Sequence, residues 1–464
     1  MPQWLPWAHG IVLAITLVFW IAFLSNAQPL SYVYKRDFLG VYVGTRAVVA
    51  GQSAQLYDFS LQRQLTDAAI APYHRANLLP YVYPAYVGLL LAPLGKLNLT
   101  SAFFVWTGVN FLAALWLGRR LMRYKLLFRG QRITLLVAFL AWVPLQLTLS
   151  HGQMGLFCAL AVGEAAVALN GGLQWKAGCW LALGLLKPQL IALPLLALVL
   201  WRSWRALASF SAILFILLAA SFAKLGFWIP AYLHFLAKFN RGAKEVSLYP
   251  AAMQNWRGLA SALFGSRSAM AFGLQVALSV GSLGAVLLIC RSGVSRKRLG
   301  TPEHLHARFA IVVLLGILVS PHLYFHDWIV GVPALAVLLL VATEWTRVNG
   351  RQWPGSALLW LVACSPFVAF ALQFGVWPEA SHIQLVPWYM GLMTAVAIVA
   401  LRRVENLSAG GGGGPVIAPP DEQAKSRRRP NCRRRLNQNE PEATLVRLAT
   451  RTRDRRGNIW RDVP

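Results

Sequence analysis

Apolar runs recur along the whole chain and are separated by short polar turns. Against the ~20 residues a helix needs to cross a bilayer, the pattern predicts spans at about 9–24, 101–117, 133–149, 153–170, 206–225, 269–290, 308–320, 328–344, 355–374 and 383–401. Two apolar stretches do not fit a single crossing. The run from Tyr83-Pro84 to Leu97 is short and predicts an interfacial or re-entrant segment. The stretch from Ala177 to Trp201 has Lys176 before it and Arg202 and Arg205 after it, so both ends belong on one side. It is too short to cross twice and carries Lys187-Pro188 in its middle, which predicts two half-helices meeting at a tip. Irregular backbone at such depth is tolerated where it lines a cavity, so Lys187 points into a site.

Basic clusters orient the spans. Arg119, Arg120, Arg123, Lys125, Arg129 and Arg132 follow the second span and mark a cytoplasmic loop. The alternation then puts 26–81 and 226–258 outside as the two long outer loops, and both termini inside. Ser25-Asn26-Ala27 resembles a signal-peptidase site, yet no Lys or Arg precedes the first apolar run, so an uncleaved first helix is expected. Within 26–81 a helix is predicted from Phe38 to Ala50, stopped by Gly51. Beyond residue 403 a Gly410–Gly414 run and Arg-rich text without apolar periodicity predict a disordered basic cytoplasmic tail over 404–464.

Composition sharpens this reading. Of 464 residues 57% are apolar and 13% charged, with a mean hydropathy of +0.52. An ordinary soluble enzyme carries about 25% charged residues, so that class is excluded. The net charge of +28 would suggest nucleic acid in a soluble protein. Here basic residues border apolar spans and are better matched to anionic lipid, so no nucleic-acid partner is expected. The cysteines Cys158, Cys179, Cys290, Cys364 and Cys432 have no spacing for a disulfide framework or a zinc site.

Few carboxylates remain that could do chemistry. Glu164 lies inside a span, where an acid is either functional or paired structurally. Asp37 sits at the start of the Phe38 helix, either as an N-cap paired with Arg36 or as a general base at the membrane surface. Asp58 reads as a turn or a second cap. His322, His326 and Asp327 cluster at the outer mouth of two spans, with packing, acceptor orientation or a phosphate-facing role all open. Lys35, Arg36, Arg46, Arg63, Arg75, Lys238, Arg241, Lys244 and Arg257 make the outer face positive, as a site for an anionic group would require.

These residues carry a resemblance. Asp37-Phe38 with Tyr42, Gly51, Leu56-Tyr57-Asp58, Tyr83-Pro84 and Leu91-Ala92-Pro93-Leu94 come first. Trp106, Asn110, Gly152-Gln153, Gly184 to Gln189, Asn255 with Gly258, and Ser320-Pro321-His322 follow in order. Over about residues 10–400 the series resembles glycosyltransferase family 87. The resemblance implies an all-α polytopic membrane protein of the GT-C glycosyltransferase type, with a catalytic domain over 1–403. It further implies an inverting transfer of a hexose, mannose being the first candidate, from a polyprenyl-phosphate carrier to a lipid or glycan acceptor. The reaction would take place on the extracytoplasmic side of the plasma membrane. Asp37 would be the base and His322 would stand near the reaction centre. Lys187, Arg257 and Arg241 would meet the donor phosphate, and Tyr42, Gln153, Asn255 and His326 would position sugar or acceptor. No cofactor is expected, with a divalent metal left open. The competing readings are an O-antigen ligase or polymerase and a polytopic transporter.

Overall fold

The computed structural model describes residues 29–123, 129–241, 246, 248–291, 302–349 and 385–410, with isolated positions between 10 and 21. Most of the expected span at 9–24, all of that at 355–374, and the tail from 411 onward lie outside the described residues. Among the described residues the chain is helical, and its one β feature is a parallel bridge between Leu78 and Val246.

Helix α1 (Phe38–Val49) ends before Gly51, whose φ of +71° lets the chain turn away. Helix α2 (Phe59–Ile70) is capped by Asp58, which accepts from the Ser60 amide at 2.7 Å. Asp58 is therefore a cap. Two short helices, Ala85–Leu90 and Ala92–Gly95, replace a crossing between Pro84 and Leu97. Helix α3 (Leu99–Leu121) starts on the Asn98 cap and ends on Arg119 and Arg120, cations suited to the negative end of the helix dipole. The stretch expected as one span at 133–149 is two helices, α4 (Arg129–Ala141) and α5 (Val143–His151). Pro144 lacks the amide hydrogen that an unbroken helix would use there.

Helix α6 (Gly155–Asn170) packs against more of the fold than its length suggests, touching α3 and several of the later elements. Leu156, Cys158, Ala159 and Ala161 on it have no exposed surface. Its Glu164 is held by Arg120 and by the Trp116 indole N–H at 2.8 Å, so this intramembrane acid is paired. Helix α7 (Gln174–Ala182) tightens into a 3-10 turn, Leu183–Leu186, and breaks at Lys187. Lys187 adopts φ −138° and ψ 76°, outside the helical region, which the following proline disfavours. A second 3-10 turn, Pro188–Leu190, leads into α8 (Ala192–Leu200) and then α9 (Trp204–Leu225).

The start of α7 and the start of α9 are side by side. Gly178 lies against the Ala206 carbonyl so closely that a Cβ would not fit, and the Ser209 hydroxyl donates to the Trp175 carbonyl at 2.9 Å. Residues 174–203 thus go in and come back out at the same end, as the flanking charges predict. Helices α10 (Ile229–Asn240), α11 (Trp256–Phe264) and α12 (Ala269–Arg291) follow. After them come α13 (Pro302–Val319), a 3-10 turn at Phe325–Gly331, α14 (Val332–Asn349) and α15 (Leu385–Gly410). Helix α15 runs past 404, the residue at which the tail was expected to begin. Helix α13 and the 325–331 turn pack against α6 and are buried nearly throughout.

The molecule is an integral membrane protein. Among the described residues four stretches are long and apolar enough to cross a bilayer: Leu99–Leu121, Trp204–Leu225, Ala269–Arg291 and Phe325–Ala342. Shorter apolar helices cover Phe38–Val49, Gly155–Asn170 and Leu305–Val319, so the described residues carry fewer full-length crossings than the pattern suggested.

Candidate active site

Four parts of the chain converge on one cluster. They are the start of α1, the turn between α5 and α6, the tip of the α7–α8 pair, and the 3-10 turn after α13. Asp37 stands at the N-cap position of α1, yet its carboxylate makes no capping bond. Its Oδ2 instead accepts from Gln153 Nε2 at 2.8 Å and lies 3.2 Å from His151 Nδ1. Arg36 Nη1 approaches the other His151 nitrogen, Nε2, at 3.3 Å. A guanidinium can only donate, so Nε2 accepts and the His151 proton sits on Nδ1, aimed at Asp37.

The network continues inward. Lys187 Nζ donates to Gln153 Oε1 at 2.8 Å and to Asp327 Oδ1 at 2.6 Å. Asp327 Oδ2 lies 3.5 Å from His326 Nε2, and His326 Nδ1 lies 4.0 Å from Asp37 Oδ2. Asp37, Gln153, Lys187, Asp327 and His326 therefore form a closed ring. Lys187 and Asp327 are nearly inaccessible, at 7% and 3% side-chain exposure, whereas Asp37 is 33% exposed. Asp37 Oδ1 takes no hydrogen bond from the described residues and remains the open corner of the ring. Burial alone would raise the Asp37 carboxyl, but the polar contacts of His151, with His326 and Gln153, outweigh it. They hold the group well below the usual carboxylate range.

The turn at Gly152 makes the approach possible. Its φ is +65°, and a Cβ there would lie 2.8 Å from the Cβ of Phe38, the residue next to Asp37. Trp106 braces the same turn, its indole N–H donating to the Gly152 carbonyl at 2.8 Å.

His322 is a neighbour of the ring through aromatic contacts. Its imidazole meets Tyr324 edge-on at 4.9 Å, and Tyr324 lies 6.2 Å from His326. His322 Nδ1 is buried without a hydrogen-bond partner. Burial pushes the His322 imidazole down to about 4, so it is neutral at pH 7 and available as a donor or an acceptor. The turn carrying it is pinned from α11. Asn255 donates to the Ser320 carbonyl at 2.6 Å and caps α11 through the Gly258 amide at 2.8 Å. Arg257 donates to the Pro321 carbonyl at 3.1 Å and to Asn240 at 2.9 Å.

Sequence-predicted site residues are thus sorted by the geometry. Asp37, Gln153, Lys187 and His326 come together, with His322 beside them. Asn255 and Arg257 hold the His322 turn. Lys187 already has its anion in Asp327, where the sequence suggested a lipid phosphate. Tyr42 is buried one turn along α1 with its hydroxyl on the Leu97 carbonyl at 2.9 Å, away from the ring. Arg241 is exposed at the end of α10 and joins none of these contacts. His151 was not singled out by sequence reasoning, which named only its neighbours Gly152 and Gln153 in the family series.

Comparison with known proteins follows the same residues. The model of glycosyltransferase family 87 matches residues 81–321, which include His151, Gln153, Lys187, Asn255 and Arg257. Two relatives are polyprenol-phosphate-mannose-dependent alpha-(1-2)-phosphatidylinositol pentamannoside mannosyltransferases. That of Mycolicibacterium smegmatis is 27% identical over 373 residues, covering 78% of this chain and 82% of its own. That of Mycobacterium tuberculosis is 25% identical over 333 residues, covering 69% of this chain and 71% of its own. No solved structure matches the chain.

Proposed function

Because this chain belongs to glycosyltransferase family 87, we propose that it moves a mannosyl group from a polyprenyl-phosphate carrier to an acceptor hydroxyl, with Asp37 as the base. The donor class is that named for its two mycobacterial relatives. The acceptor is a lipid or glycan, and the reaction takes place at the extracytoplasmic face of the plasma membrane. Family membership leaves the ligase and transporter readings without support.

The observation that carries the proposal is the asymmetry of Asp37. One carboxylate oxygen is held by Gln153 and His151, and the other takes no hydrogen bond from the described residues on a side chain one-third exposed. A fixed, ionised carboxylate with a free oxygen suits proton removal from an incoming hydroxyl. As that proton passes to Oδ1, the acceptor oxygen bonds to the anomeric carbon and the carbon–oxygen bond to phosphate breaks from the opposite face. The phosphate departs with the electron pair and the anomeric centre inverts. No acid is needed for such a leaving group, in contrast to glycoside hydrolysis. Charge growing on the phosphate needs donors nearby. His322 and Arg257, which donates to the turn carrying it, are suited to this, while Lys187 acts through Gln153 and Asp327 as a positioning residue.

The test is reconstitution. The purified protein in liposomes is given radiolabelled polyprenyl-phosphate mannose, or the glucose analogue, with membrane lipid acceptors. A mannosylated lipid of inverted anomeric configuration supports the reading. No transfer from either donor, or retention of configuration, contradicts it.

A further inference from the structure

We infer that the cleft at the open ends of the α7–α8 re-entrant pair binds the phosphate of an anionic membrane lipid. This site is separate from the ring around Asp37 and does not depend on the transfer reaction. Lys187 lies at the other end of the pair, ~20 Å away by the helical rise from Gln174.

The cleft has a volume of about 680 Å³, within the range of sites that take small ligands. Lys176, Arg202 and Arg205 line it, and no lining residue is acidic. All three cations are exposed, and none forms an ion pair among the described residues. The first turns of α7 and α9 meet here, and neither helix is capped by a side chain. Their dipoles favour an anion at the same place as the three cations. Trp175 and Trp204 flank the cleft at 55% and 62% exposure. Exposed indoles of this kind sit at the headgroup level of a bilayer, which points to a lipid phosphate over a soluble anion.

Arg202 is carried by the turn that ends α8. Arg202 has φ +54°, and among the described residues it alone adopts a positive φ without being glycine. Glycine would fit there without strain. It is the left-handed residue that closes α8, its amide bonded to the Val199 carbonyl at 3.0 Å and the Ser203 amide to the Leu198 carbonyl at 2.9 Å, a position helices usually give to glycine.

The experiment uses the full chain in a neutral detergent, comparing phosphatidylglycerol, phosphatidylcholine and inorganic phosphate. Thermal unfolding and native mass spectrometry report binding. Phosphatidylglycerol should raise the Tm and be retained, while phosphatidylcholine should do neither. Replacing Lys176, Arg202 and Arg205 together by Gln should weaken phosphatidylglycerol binding by roughly one to two orders of magnitude. Arg202→Gly alone should weaken it about fivefold while raising the lipid-free Tm, because it removes the strain along with the charge. Equal lipid stabilisation of wild type and both variants would overturn the inference. So would stabilisation by inorganic phosphate alone as large as that by phosphatidylglycerol.

Discussion

An aspartate at a helix N-cap normally satisfies an amide of the first turn, an interaction whose loss costs about 0.5–2 kcal/mol. Asp37 forgoes that bond, and its carboxylate is turned toward His151 and Gln153. The helix start is stabilised less than it could be so that the carboxylate has a fixed direction. His151→Ala should therefore lower turnover by about tenfold or more with little change in donor affinity, since it removes an orienting contact and not a binding one. Equal losses in both, seen in separate binding and rate measurements, would point to a donor-binding role instead. The Lys187–Asp327 pair makes a different demand. Lys187→Ala leaves a carboxylate buried and unpaired, which costs about 3–5 kcal/mol. Replacing both residues by Leu should recover most of that stability, and denaturation in detergent decides it. If Lys187→Ala unfolds like the wild type, the ion pair is not structural. Asp37 was legible as a candidate because carboxylates are so scarce in this chain, and the role of base came from the family resemblance. His151 and Asp327 were not assigned, because their partners lie 114 and 140 residues away and no local pattern reports such pairings.

At the scale of elements, two devices aim the site. The first is the break at Lys187-Pro188, which turns α7 back into α8. Single cysteines at Gln174 and Trp204 should be labelled from the same side of a sealed vesicle. Labelling from opposite sides would make 174–203 one ordinary crossing. The second device is Gly152, whose positive φ lets the α5–α6 turn press against Phe38. Gly152→Ala should push α1 away and reduce transfer by roughly tenfold or more, while the folded fraction, read by size-exclusion chromatography, stays near wild type. Normal transfer in that variant would show that the contact does not position Asp37. The re-entrant pair was readable because charge at both ends and a central proline leave a 25-residue apolar run few alternatives. The division of 133–149 was readable in principle from Pro144, but apolar continuity concealed it. The roles of Asn255 and Arg257 as struts for the His322 turn come from tertiary packing, which no spacing encodes.

The described residues form a membrane-embedded frame around a small ring of charged and polar groups, and its pH behaviour follows from Asp37 and His322. The Asp37 carboxyl is held below its usual range, so its contribution to stability is complete above about pH 4 and is lost only as pH falls through its lowered folded value. A rate governed by Asp37 should accordingly be flat on its acid side down to about pH 5. His322 has the reverse history on folding. Burial expels its proton, so stability should decline as pH falls from 6.5 toward about 4. His322→Gln should lessen that decline in a Tm–pH series, and an unchanged slope would contradict the burial argument. Asp37 remains the centre of the account. Its most direct test is Asp37→Asn, which keeps the shape and removes the proton acceptor, with donor binding and single-turnover transfer measured on the same preparation. The account predicts donor affinity near wild type and transfer reduced by about 10²-fold or more, while Asp58→Asn, which loses only a cap, stays within a few-fold of wild type. Wild-type transfer by Asp37→Asn would contradict it.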